Sequence, residues 1–176
     1  MRGLPNAQII QIILGLAFSL QPQANFTPPG SRLRVIRVAR DQLVQLLKCA
    51  LQVLYQIDAN DEGGIEQALL SYWASFDGPD DARPFAEELV RGSYRQRAEI
   101  DVMISQAATN WRIERMGRVD RNILRAAVYE MLSYPDIPPR VTINEAVELA
   151  KRFGSEDTPR FVNGVLDAIR QKLGRE

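Results

Sequence analysis

The sequence predicts an all-α protein of about seven helices. Three observations carry that expectation. Apolar residues recur at three- and four-residue spacing, no segment alternates with a period of two, and the breaks between apolar runs are short and rich in Gly, Pro and Asp. A chain of 176 residues suffices for one well-buried core and is short for two.

The elements follow in order. Leu43, Leu46, Leu47, Ala50, Leu54 and Ile57 mark an amphipathic helix whose start reaches back as far as Arg32 and which Asp61, Glu62, Gly63 and Gly64 end. A second helix covers Ile65 to Phe76, and Asp77 to Asp81 (DGPDD) forms a solvated turn. Pro84 lacks an amide hydrogen, suits a first helical turn, and opens a third helix. A fourth runs from about Tyr94 to Trp111 and buries Ile100, Met103, Ile104 and Ala107.

Punctuation is densest near the C-terminus. Asp120 is placed to cap a helix carrying Ile123, Leu124, Ala127, Val128 and Met131, which Pro135 stops. Thr142 and Glu145 have capping-box spacing, ahead of a buried face made of Ala146, Val147, Ala150 and Phe153. Gly154 is expected in the left-handed position that ends this helix. Thr158 and Pro159 read as N-cap and first residue of a last helix with the stripe Val162, Val165, Leu166, Ile169, Leu173. Gly164 costs about 1 kcal/mol in a helix interior, which predicts close approach of another helix there.

Composition excludes several chemistries. There are no histidines, so His-dependent triads, His general bases and His-ligated zinc are absent. A single cysteine, Cys49, allows neither an intrachain disulfide nor a cysteine metal site. No glycine-rich dinucleotide or phosphate-loop motif occurs. No catalytic residue, cofactor or metal is therefore expected, and the chain reads as a non-enzyme. The formal net charge is zero, so a nucleic-acid site has to be a local basic patch.

Residues 1–30 form an N-terminal extension with the apolar run Ile9 to Leu20, too short to span a bilayer. Three readings stand: a signal-peptide core, a buried helix, or translated sequence upstream of the true start. The breaker PPGS, Pro28 to Ser31, marks its end, and residues 31–176 make the helical domain. The rest of the chain fits a cytoplasmic protein with no membrane partner.

Two segments suit RNA. On one continuous helix, 100° per residue places Arg34, Arg37, Arg40 and Lys48 within about 120° of arc, beside the apolar stripe. Such a ridge either grips phosphates or is a solvated face whose stems cover the core. The second is SEDTPRF, Ser155 to Phe161. A helix start attracts phosphate, Arg160 adds charge, Phe161 offers a stacking ring, and Asp157 can accept from base amino groups. The alternative is ordinary capping by acidic residues with Phe161 in the core.

The string DRNILRAAVYEML…DIPPRVTINEAVELAKRFGSEDTPRFVNGVLDAI, Asp120 to Ile169, resembles the C-terminal half of the NusB family of transcription antitermination factors. A weaker match reaches back to ALQVLYQIDAN, Ala50 to Asn60. The resemblance implies a pair of packed small helical bundles. It implies binding of single-stranded boxA-type RNA in ribosomal RNA operon transcripts, together with NusE, the small-subunit ribosomal protein ten, within the transcription elongation complex. By that resemblance Asp157, Arg160 and Phe161 face RNA with an arginine-rich leading segment, and Tyr55 and Asp120 face NusE. Asn144, Glu145, Asn163 and Arg125 also match, and are read as structural. Homodimers are a further expectation, because some relatives self-associate. One departure stands out. Where the family places arginines just before the segment CALQVLYQ, this chain has Leu43, Val44, Gln45, Leu46 and Leu47, and only Lys48 is charged. RNA binding is thus expected through the displaced ridge, or weakened in a chain that acts as a protein-interaction module.

Overall fold

The computed structural model describes residues 48–58, 64–75, 83–109 and 111–175, apart from the side chain of Phe85. The extension, the arginine ridge and the stretch Leu43 to Leu47 lie outside the described residues. The described residues hold seven helices: α1 (helical over 48–58), α2 (Gly64–Ser75), α3 (Arg83–Arg95), α4 (Arg97–Ala107), α5 (Arg118–Ser133), α6 (Pro139–Phe153) and α7 (Thr158–Lys172). A 3-10 turn, Ile113–Arg115, precedes α5. Among the described residues there is no strand, and no helix is long and apolar enough to cross a membrane.

The helices form two groups around one core. In the first, the Tyr72 hydroxyl of α2 donates to Gln52 Oε1 of α1 at 3.1 Å, and Arg91 of α3 clasps Glu66 of α2 at 3.0 and 2.9 Å. In the second, α4, α6 and α7 surround α5, and α6 packs on α7. Helix α3 joins the groups by also packing on α5. Neighbours on several sides explain why α5 buries Ile123, Leu124, Ala126, Ala127, Val128, Tyr129, Glu130 and Met131 rather than one narrow stripe. Helices α3 and α5 meet closely at Gly92, where a Cβ would lie 1.8 Å from Tyr129 Cζ. Beyond α7, Arg175 turns back to donate to the carbonyls of Met131, Pro135 and Ile137, which fixes the α5–α6 connection.

Several punctuation marks act differently from their sequence reading. Helix α5 starts at Arg118 with Gly117 as N-cap, so Asp120 sits inside the first turn and does not cap it. Helix α6 starts at Pro139, three residues before Thr142; Thr142 and Glu145 are buried in its body, where a capping box cannot form. Gly154 has φ −91° and ψ −175°, extended rather than left-handed. Glycine is needed there for room, since a Cβ would lie 2.5 Å from Thr158 side-chain atoms. Asp157 is the N-cap of α7, which places Thr158 first and Pro159 second. Gly164 faces open space, and no helix among the described residues approaches it. Helix α4 ends at Ala107, four residues short of Trp111.

Candidate nucleic-acid interface

The loop from Gly154 to Asp157 and the first turn of α7 form a small, well-fixed unit. Thr158, buried at its centre, accepts from the Ser155 amide at 2.9 Å, lies 3.0 Å from the Ser155 hydroxyl, and donates to Asp120 Oδ1 at 3.0 Å. That last bond ties the start of α7 to the start of α5. A buried hydroxyl with both donor and acceptor roles filled resists rearrangement of the loop.

Outside this knot stand the RNA candidates. Asp157 is exposed and its carboxylate makes no capping hydrogen bond, contrary to the ordinary capping alternative. Arg160 is exposed on the first turn and makes no ion pair among the described residues. Phe161 is half-buried: one side packs on the core, and its ring centre lies 5.7 Å from that of Trp111 with planes inclined at 57°. It is neither sealed in the core nor free. A cation, an acceptor and an aromatic edge therefore share one helix start, a set suited to unpaired nucleotides.

Lys48 is half-buried at the described start of α1, and Arg34, Arg37 and Arg40 lie outside the described residues. Tyr55 is 41% exposed on α1, and Asp120 is half-buried on α5. The segments bearing these two are joined by an ion pair, Arg121 Nη2 to Asp58 Oδ2 at 2.6 Å, with Asp58 three residues after Tyr55 and Arg121 next to Asp120. Arg125 extends the network to Asp58 at 3.1 Å and to both Asp101 oxygens at 2.7 Å. Burial pushes the Asp58 carboxyl up, but the Arg121 and Arg125 guanidiniums outweigh it and hold it below the usual carboxylate range. Burial likewise pulls Arg125 down, and Asp101 and Asp58 more than restore it. The structural reading of Arg125 and Glu145 fits these positions. It does not fit Asn144 and Asn163, which are exposed and make no side-chain hydrogen bond among the described residues.

The model of the NusB family matches residues 45–171. The chain belongs to the NusB family. The transcription antitermination protein NusB of Syntrophus aciditrophicus (strain SB) is 43% identical over 145 residues, 82% of this chain and 84% of that relative. Among solved structures, NusB from T. maritima superposes with a TM-score of 0.68 at 36% identity, covering 73% of this chain and 90% of the other. A crystal structure of antitermination factors NusB and NusE in complex with dsRNA gives 0.66 at 30% identity, covering 75% and 98%. Membership places the chain among non-enzymatic antitermination factors of all-α fold.

Sequence reasoning missed Trp111, which is 57% exposed. The sequence reading made it the last residue of a helix starting at about Tyr94 and gave it no role. The only signal against this was local: Thr109 and Asn110 precede it, and both are weak helix formers.

Proposed function

We propose that this NusB-family chain is a transcription antitermination factor that binds single-stranded boxA-type RNA of ribosomal RNA operon transcripts, in the cytoplasm, together with NusE and within the transcription elongation complex. The carrying observation is the helix start of α7, where an exposed Arg160 and a half-buried Phe161 follow a loop locked by Thr158. The existence of a solved NusB–NusE complex with dsRNA supports both partner classes. In this reading residues 31–176 are the functional domain. Phe161 stacks on a base, Arg160 and Lys48 meet phosphates with Arg34, Arg37 and Arg40, and Asp157 accepts from a base amino group. Tyr55 and Asp120 meet NusE, which raises RNA affinity by adding contacts.

Fluorescence anisotropy with labelled boxA-type RNA, with and without NusE, tests this. Binding that tightens with NusE is expected. Charge reversal at Arg37 and Arg40 should flatten the salt dependence, each lost phosphate contact removing about 0.7 from the slope. Absence of RNA binding by folded protein at low salt, with or without NusE, overturns the proposal. A second reading, a protein-interaction module with weakened RNA binding, is favoured by Leu43 to Leu47 standing where the family's arginines are expected. It predicts NusE binding that survives high salt with no gain from RNA.

A further inference from the structure

Trp111 leaves more than half of its surface in water, although its ring meets Phe161. Its position is fixed, not frayed. After α4 ends, the Trp111 amide donates to the Ala108 carbonyl at 2.9 Å, and the 3-10 turn follows directly. Beside the indole lies a shallow hollow of about 400 Å³, bordered by Ser105, Thr109, Arg112 and Glu114. Arg112 and Glu114 are 78% and 73% exposed and 3.9 Å apart. A contact between such exposed charges is weak, so the guanidinium is available to another anion.

We propose that Trp111 and this hollow are a second base-binding subsite, taking an unpaired nucleobase next to the one held at Phe161. The inference rests on the RNA-binding reading above and extends it beyond the α7 start. An indole face takes any base, and Trp111 is oriented by a ring that already belongs to the candidate RNA surface. The two rings are in contact, 5.7 Å between centres and inclined at 57°, so bases lying on their outward sides would be neighbours on one strand. The hollow offers the hydroxyls of Ser105 and Thr109 and the Glu114 carboxylate to base edges, and Arg112 to the following phosphate. Such mixed polar borders suit a nucleotide better than the apolar face of a protein partner.

The chain has two tryptophans, so Trp73→Phe leaves Trp111 as the only indole. In that variant, single-stranded boxA-type RNA is expected to quench the remaining emission, and RNA carrying 5-iodouridine to photocrosslink to Trp111. Trp111→Ala is expected to weaken RNA binding about 10-fold at an unchanged melting temperature, and Trp111→Phe to retain most of the affinity. Should Trp111→Ala fail to fold, quenching and crosslinking in Trp73→Phe decide alone. RNA that binds but leaves Trp111 emission unchanged, with no crosslink, overturns the subsite while the RNA function stands. Quenching by NusE without RNA, and none by RNA, makes the hollow a protein contact and overturns it too. RNA that does not bind the unaltered chain at all overturns both readings together.

Discussion

The Thr158 hydroxyl on α7 donates to Oδ1 of Asp120 on α5 at 3.0 Å, joining residues 38 positions apart. Asp120 belongs to the proposed NusE surface, and Thr158 holds the loop that presents Asp157, Arg160 and Phe161. One partly buried hydrogen bond thus connects the two proposed binding surfaces. Thr158→Val keeps the shape but removes the donor to Asp120 and the acceptor for Ser155. A loss of about 1 kcal/mol in stability is expected, because the Asp120 carboxylate and the Ser155 amide lose a partner but are only partly shielded from water. The gain in RNA affinity on adding NusE should shrink as well. Urea melts and RNA titrations with and without NusE measure both, and an unchanged gain would show the two surfaces to be independent.

Arg125 anchors α1 and α4 to α5 through Asp58 and Asp101. Arg125→Leu leaves two largely buried carboxylates without their shared cation. Breaking a buried pair by removing one partner costs about 3–5 kcal/mol. The sites are not fully dry, so the lower end is expected. Guanidinium denaturation at pH 7 reads it directly, and a change below about 1 kcal/mol would mean water compensates the network.

Gly92 has no space for a side chain, because Tyr129 occupies the position of a Cβ. Gly92→Ala must displace that ring and separate α3 from α5. Overpacking of this kind costs about 1–3 kcal/mol, despite the better helix propensity of alanine. Adding Tyr129→Leu should recover part of the loss, a coupling that a double-mutant cycle measures.

Glu130 gives a pH dependence. It is buried on α5, and its burial, reinforced by the charge of nearby Glu145, raises its carboxyl to about 7, with the Thr142 hydroxyl pulling the other way. Between the ordinary carboxylate range and about pH 7 the folded protein holds a proton that the unfolded chain has released. Stability contributed by this group therefore falls as pH rises through that window. Glu130→Gln should flatten the fall, giving a protein about 2–3 kcal/mol more stable than the parent at pH 8 and little different at pH 4.5. Denaturation at the two pH values checks the sign; a variant less stable at pH 8 would show that the ionised carboxylate is accommodated.

The helices were legible because their cause is local. Ile123, Leu124, Ala127, Val128 and Met131 repeat at helical spacing, and all five are buried. Pro84 and Pro135 mark boundaries through their own missing amide hydrogen, whatever lies around them. The residues around Phe161 were legible through the resemblance of one continuous string, since the α7 start is local in sequence. Caps read less well. Thr142 and Glu145 have capping spacing, yet Pro138 and Pro139 had already started the helix one turn earlier. Gly154 and Gly164 were judged by backbone preference, although the first is fixed by the Thr158 side chain and the second meets nothing within 4 Å among the described residues.

The sequence by itself determined the all-α class, the positions of most helices, the absence of histidine chemistry and the family resemblance, because each follows from neighbours a few positions apart. Tertiary structure alone decided that Asp120 serves Thr158 instead of a helix end, that Asp58 gathers two arginines, and that Trp111 turns outward against Phe161. Those outcomes depend on which distant side chains arrive at the same place, and contacts across 38 to 67 positions leave no periodic trace in the chain.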